Sequence, residues 1–438
     1  PGRIHVFSTS QHLKSMEPMR PARWQTPTRI CRLALVSLVA VGYASDSALN
    51  ASSTDQGLAC NEASSKPRES RSLLPVLSTD SRSSGPQPEP EENGDIKFVT
   101  AFSVECKSYH DWQSVTLYYS WRQAGLPGKL VRIVACSPDR QAQSKTFSDL
   151  QGFETHFHNR ADSDYLPLNK PWGFLSWLKE GGGRTLPPNA VIMIVDPDMV
   201  FYRAPLEVLT PMIERVHSGA TQAIGSDFEY IVNGLQAKSW ALARYFGITD
   251  VERLQSIGVP MLLRKESLTR LARPYYEIAK AISRSSSLTS LVHDGNLPAP
   301  WIAEMVAYTL ATAWLRHETQ KQWPALEAPQ PPFNATSDHH HPLLVHYDHG
   351  FLLCGRPFGK FRYMHIDLLD CSANASVLAS LHPPSRAEVN SNDCDLCIEN
   401  GEISGWPATC DLPAREFSIF IWEQVHGAVY RWRLAHCA

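Results

Sequence analysis

The sequence predicts an α/β fold with a mostly parallel central sheet, on three observations. Segments run strand, helix, strand over 96–136, an order that favours parallel pairing. Farther on, Ala190-Val-Ile-Met-Ile-Val195 has the uninterrupted apolarity of a central strand. That run ends in Asp196-Pro197-Asp198, so two carboxylates stand at the carboxyl end of a strand, where open α/β sheets bind ligands.

The elements follow in chain order. Ile96 to Val104 alternates enough for a first strand, and Tyr109 to Ala124 carries Trp112, Val115 and Tyr119 on one helical face. Gly125-Leu-Pro-Gly128 ends that helix, and Leu130 to Cys136 is a compact apolar strand. A helix is expected near Gly173 to Lys179, with Trp172, Leu175 and Leu178 sharing a face, before Gly181 to Gly183 and Pro187-Pro188 break the chain. Gln222 to Ser226 reads as a strand followed by Asp227. Arg270 to Ile282 and Trp301 to Leu315 read as helices. In the second, Ile302, Val306, Leu310 and Ala313 make a core face, and Glu304 falls among them as a carboxylate that needs a partner or a cleft. Leu343 to Tyr347 is a short strand that delivers His346.

The chain has 438 residues, 43% of them hydrophobic, which is enough for a sizeable core. Its 41 Lys and Arg nearly balance 44 Asp and Glu, so no positive field gathers nucleic acid and none is expected as a partner. Arg20, Arg23, Arg29 and Arg32 precede the apolar stretch Leu33 to Ala44, the order of a secretory signal or signal anchor, so residues 1–45 are assigned to targeting and a possible membrane tether. Residues 46–94, rich in Ser, Pro, Gly and charge, read as a disordered stalk or linker. Residues 95–371 are assigned to the main domain and 372–438 to a cysteine-bearing extension packed on it.

The chain has ten cysteines, expected to pair mostly as disulfides in an oxidising lumen, with a pairing that spacing alone does not assign. Cys394-Asp-Leu-Cys397 is alternatively half of a zinc or redox site. The sequons at Asn50, Asn334 and Asn374 agree with a lumenal chain. There is no glycine fingerprint for a dinucleotide, no phosphate loop and no nucleophile elbow, which disfavours a dehydrogenase, a kinase and an esterase. Asp196, Asp198 and His346 are the candidate metal ligands, a mixed carboxylate and imidazole set that suits manganese or zinc better than calcium.

Phe102-Ser-Val-Glu-Cys-Lys-Ser-Tyr-His-Asp-Trp-Gln113 and Ser120-Trp-Arg-Gln-Ala-Gly-Leu-Pro-Gly128 resemble the opening of the catalytic domain in peptidyl serine alpha-galactosyltransferases and the related hydroxyproline O-arabinosyltransferases. The resemblance continues through Leu168-Asn-Lys-Pro171, Asp196-Pro-Asp198, Trp301-Ile-Ala-Glu-Met305, His346-Tyr347, Leu368-Leu-Asp-Cys371 and Cys437. Asp196 and Met199 stand where the family often has Glu and His, and Tyr347-Asp-His349 where it commonly has Tyr-Gly. The resemblance implies a GT-A-like nucleotide-sugar glycosyltransferase fold and a Golgi or endoplasmic reticulum lumenal location, anchored by the N-terminus. It also implies Mn2+, a UDP-sugar donor and retention of configuration on glycosylating a hydroxyproline-rich, serine/proline-rich or extensin-like protein. The cysteine-bearing tail favours UDP-galactose and serine acceptors over UDP-arabinofuranose and hydroxyproline.

On this reading Asp196, Asp198 and His346 hold the cation. Lys170 and Lys360 are candidates for the diphosphate, Glu304 joins Asp198 as a catalytic candidate, and Glu105 and Asp227 are candidates for the sugar hydroxyls. Tyr165, Trp172 and Trp301 are candidates for stacking on uridine or on an extended acceptor. A binding module for glycans or proline-rich peptides without turnover is the alternative of another class. It predicts binding that needs no metal.

Overall fold

The computed structural model describes residues 97–438 apart from 143, 203–205, 228–230, 232–238, 295–296, 318, 322–342, 348–349, 392–393, 395, 399–411 and 438. The described residues fall in one unit, 67–438. The expected targeting segment 1–45 and linker 46–94 lie outside the described residues. The expectation of a membrane-anchored chain is corrected: among the described residues no helix is long and apolar enough to cross a membrane.

The core is a seven-stranded sheet. Strand β1 (Phe98–Glu105) leads into helix α1 (Ser108–Gln123), then β2 (Lys129–Ala135) and β3 (Phe153–His158). Helix α2 (Asn169–Glu180) precedes β4 (Val191–Val195), β5 (Met199–Phe201) and α3 (Leu206–Ser218). Strands β6 (Ala223–Asp227) and β7 (Ile257–Arg264) are followed by α4 (Lys265–Arg284), α5 (Ala303–Trp314) and β8 (Thr319–Lys321). The strand order is β8-β6-β7-β4-β1-β2-β3, parallel except for β7, which runs against β4 and β6. Strands β4 and β1 are buried along nearly their whole length, as their continuous apolar runs require of central strands.

Strand β7 lies in the middle of the sheet although Pro260 interrupts its apolar run. A proline argues against a central strand because it cannot donate to the ladder. Here its missing N–H costs nothing: pairing with β4 ends at Met261, and the β6 ladder is irregular between Gly225 and Ser226. The Val259-Pro260 peptide is cis.

Helix α1 is buried on more than the predicted face. Asp111, Gln113, Thr116 and Ser120 are covered along with Trp112, Val115 and Trp121; Asp111 pairs with Arg132 of β2, and the C-terminal helix α6 (Leu412–His436) also packs on α1. In α2 the buried face is Phe174, Trp177 and Leu178; Trp172 and Leu175 are half-buried, which corrects the expected stripe. Gly173 makes the close approach of α2 to the sheet possible, since a Cβ there would lie 2.7 Å from His158 Nε2 and 2.8 Å from Ile133 Cγ2.

Outside the main sheet, β5 pairs antiparallel with β9 (Leu344–His346). Strand β10 (Phe351–Leu353) lies between β11 (Arg356–Phe358) and β12 (Leu396–Ile398). Among the described residues, disulfides join Cys106 to Cys136, Cys354 to Cys394 and Cys371 to Cys437. Cys394 is therefore a structural half-cystine rather than a zinc or redox ligand. The last two bridges close loops with sequence separations of 40 and 66, tying the extension to the body.

Two buried histidines make stability pH-dependent. Burial pushes the imidazoles of His158 and His317 down to about 4, whereas an unfolded histidine titrates near about 6.5. The unfolded chain therefore takes up protons first on acidification. The stability these groups contribute is complete above about pH 6.5 and is lost as pH falls through about 4, by about 3 kcal/mol for each. The urea midpoint should fall across that interval; a flat midpoint would contradict these protonation states.

Candidate active site

Each candidate residue leaves the sheet at an element end. Asp196 and Asp198 follow β4, and Pro197 between them removes a donor and stiffens the turn. The chain doubles back at once into β5, whose Met199 lies opposite His346 of β9. Tyr347 N donates to Asp198 O at 3.0 Å, which locks the register. This two-stranded pairing brings the distant imidazole beside the turn, with His346 Nε2 3.1 Å from Asp198 Oδ1. One ligand atom from each of Asp196, Asp198 and His346 lies within 4.8 Å of the others.

The trio suits a small divalent cation. Carboxylate oxygens and an imidazole nitrogen are the donors that manganese and zinc accept. Two atoms bound to one such ion at about 2.1 Å each are at most about 4.2 Å apart, so little contraction is needed. Asp198 is buried and the other two residues are half-buried, so few waters compete.

Two lysines complete the centre. Lys170, in the first turn of α2, donates to Asp196 Oδ1 at 2.7 Å and lies 3.9 Å from Glu304 Oε1. Lys360 donates to Asp198 Oδ2 and lies 5.0 Å from the centroid of the exposed Phe361 ring. The segment that carries Lys360 is held from the far side: Lys145 pairs with Asp367 at 2.7 Å, and its backbone oxygen accepts from Arg132, itself paired with Asp111.

These contacts set the charges. Burial would raise the Asp198 carboxyl, but Lys360 and His346 outweigh it and hold the pKa well below the carboxylate range. Burial also opposes the charge on Lys170, yet Asp196 and Glu304 lift its pKa above the usual lysine value. Glu304 behaves differently. Burial pushes it up to about 7 against the pull of Lys170, with Asp196 adding to the rise. Two nearby carboxyls thus differ in their readiness to hold a proton, a pattern common at functional sites.

Glu304 sits in the first turn of α5, where its N–H donates to Tyr165 Oη at 2.9 Å and Tyr165 donates to Trp301 O at 3.0 Å. Tyr165 is therefore a strut between the loop after β3 and the start of α5, a role its sequence context did not reveal. A cleft of about 540 Å³ lies along this loop, lined by Arg160, Asp162, Ser163, Tyr165 and Arg284 among others. Trp301, 59% exposed, stands just before Glu304. Trp172 is engaged elsewhere, donating to Asn159 O and packing on Tyr276.

Glu105 ends β1 on the same sheet edge, but its carboxylate is taken: Asn169 donates to it at 3.0 Å and Lys107 lies at 3.0 Å. It anchors the first residue of α2 and so supports Lys170. Asp227 ends β6, two strands from β4, about 10 Å away by strand spacing. Its side chain lies outside the described residues. The structure thus gathers Asp196, Asp198, His346, Lys170, Lys360 and Glu304 into one set of contacts and leaves Glu105 and Asp227 beside it.

A sequence model of the hydroxyproline O-arabinosyltransferase family N-terminal domain matches residues 98–321. The chain is 24% identical over 290 residues to a peptidyl serine alpha-galactosyltransferase of Chlamydomonas reinhardtii, covering 61% of this chain and 36% of the relative. It is 26% identical over 321 residues to its Arabidopsis thaliana counterpart, covering 68% and 35%. The chain thus spans about a third of the length of these relatives. Among solved structures, galactosyltransferase LgtC bound to donor and acceptor sugar analogues aligns with a TM-score of 0.36 and 10% identity, over 57% of this chain and 86% of that one.

Proposed function

The chain belongs to the hydroxyproline O-arabinosyltransferase family, and from that premise we propose that it is a metal-dependent retaining glycosyltransferase of GT-A-like fold. It would carry a sugar from a nucleotide diphosphate to a hydroxyl group of a hydroxyproline-rich protein. The observation that carries this reading is the convergence of Asp196, Asp198 and His346 at the carboxyl edge of a mostly parallel sheet. Residues 95–371 are proposed as the catalytic part and 372–438 as a supporting extension.

Mn2+ is the proposed ion, and when bound by Asp196, Asp198 and His346 it supplies Lewis-acid neutralisation of the diphosphate. Lys170 and Lys360 add positive charge at the leaving group. Among the described residues no nucleophile is held against a general base, in keeping with front-face transfer. In that step the bond from the anomeric carbon to the phosphate oxygen breaks as the acceptor oxygen bonds from the same side, and the acceptor proton passes to the departing phosphate. Glu304 orients the acceptor hydroxyl or faces the positive charge at the anomeric carbon, Asp227 is the proposed contact to sugar hydroxyls, and Glu105 instead holds the start of the helix that carries Lys170. Tyr165 and Trp301 flank the entry for an extended, proline-rich segment, which aromatic surfaces accommodate well.

The favoured donor and acceptor are UDP-galactose and serine, supported by the likeness to two serine galactosyltransferases. UDP-arabinofuranose with hydroxyproline is the second reading, favoured by the family match itself. A donor screen with Mn2+ and an extensin-like peptide, read by product mass, separates them. A hexose on serine is expected and a pentose on hydroxyproline supports the second. Peptide binding that needs no metal, with no UDP released from any donor, would overturn both in favour of a binding module.

A further inference from the structure

The carboxylates that would ligate the cation already have counter-ions. Lys170 lies on Asp196 at 2.7 Å and Lys360 on Asp198, with all four side chains less than a quarter exposed. The two ammonium groups balance the two aspartates, before any charge on Glu304, 3.9 Å from Lys170, is counted. A divalent cation entering alone would bring two uncompensated charges into a largely desolvated site, which is costly. The diphosphate of a nucleotide sugar carries two negative charges, so a cation and a diphosphate arriving together keep that balance.

We propose that Lys170 and Lys360 occupy the carboxylates of the free protein as stand-ins for the cation and transfer to the diphosphate when the donor arrives. Cation and nucleotide then bind as a linked pair, neither tightly alone. The inference rests on the cation assignment made under Proposed function and adds a role for the lysines before the donor binds. Both are long, flexible side chains whose charge can move several ångströms without backbone change. Lys360 is also the more instructive of the two, since its partner Asp198 is shared with His346 at 3.1 Å. While the lysine holds Asp198, one carboxylate oxygen is taken by the ammonium group and the other faces the imidazole.

Direct contact between cation and diphosphate would also link their binding, so the deciding arm is the lysine variants in the absence of nucleotide. The experiment is an Mn2+ titration of the whole chain followed by the electron paramagnetic resonance signal of the free ion, with and without UDP. Wild type is expected to bind Mn2+ about tenfold or more tightly when UDP is saturating, with UDP affinity raised by the same factor when Mn2+ is saturating. Lys360→Met and Lys170→Met should bind Mn2+ alone about tenfold more tightly than wild type and bind UDP more weakly. Lys360→Gln, which keeps a donor to Asp198 without the charge, serves if the methionine variant does not fold, and carries the same expectation. Lysine variants that bind Mn2+ alone no better than wild type overturn the exchange while leaving the metal reading intact. Absence of Mn2+ binding even with UDP overturns the metal reading, and the exchange with it.

Discussion

Asp198→Asn should lower transfer by about a thousandfold or more, at every Mn2+ concentration, while the chain remains folded. Asp198 is the residue on which the centre turns: one carboxylate oxygen faces His346 and the other accepts from Lys360. The amide keeps the shape and one accepting oxygen but removes the negative charge. Loss of a single preorganised electrostatic contact at a transferring group costs about 10²–10³ in rate, and here a proposed metal ligand goes as well. Stability should fall by a few kcal/mol, because the Lys360 charge is left without its carboxylate in a buried place. Product mass after long incubation, with near-ultraviolet circular dichroism to confirm packing, reads both effects. Near-normal transfer by the folded variant would remove Asp198 from the chemistry.

Glu304→Gln should cost about 10²-fold in kcat and at the same time make the protein more stable above neutral pH. The folded carboxyl titrates at about 7, raised from the usual 4.5 first by burial. The unfolded carboxyl gives up its proton earlier as pH rises, so the stability of this group is full below about pH 4.5 and is lost as pH rises through about 7. Glutamine never ionises, and the gain in the variant at pH 8.5 should reach about 3 kcal/mol, shrinking to below about 1 kcal/mol near pH 5. Urea midpoints at the two pH values measure it. A buried acid kept at a cost to stability is the signature of a group retained for function. Equal midpoints at pH 8.5 would mean that the carboxyl carries no burial penalty, and unchanged kcat would mean that it takes no part in transfer.

Much of this centre was legible because its parts obey local rules. The run 190–195 reads as a buried strand, and a buried strand that stops at two carboxylates can end only at a sheet edge. The helix that carries Glu304 announces itself by apolar spacing, and the burial of Glu304 follows from the apolar turns on either side of it, whereas the helix expected near Gly173 to Lys179 begins earlier, at Asn169, and buries a different face. The reach of His346 to Asp198 has no local signal. It depends on β5 and β9, three residues each, whose partners, such as Met199 and His346, are far apart in the chain and are settled by tertiary contacts. The pairing of each lysine with one aspartate is of the same kind, since nothing near Lys170 or Lys360 in the chain names its partner.

Other elements escaped for reasons equally physical. Strand β7 hides behind Pro260, tolerated because the ladders on both sides have stopped or bulged there. Strand β3 has the polar sequence Phe-Glu-Thr-His-Phe-His and lies at the sheet edge, half-buried, so its apolar signal is faint. Helix α6 packs against both α1 and β10, and the two covered faces blur any single stripe along its 25 residues. The membrane anchor was read from a basic and apolar segment that lies outside the described residues, and no described helix provides one.

The most direct test of the centre is pulsed electron paramagnetic resonance of Mn2+ bound to the chain in the presence of UDP. A ligand set of Asp196, Asp198 and His346 predicts hyperfine coupling from one imidazole nitrogen, abolished in His346→Gln. A bound Mn2+ signal without nitrogen coupling, or one that the substitution leaves unchanged, would contradict it.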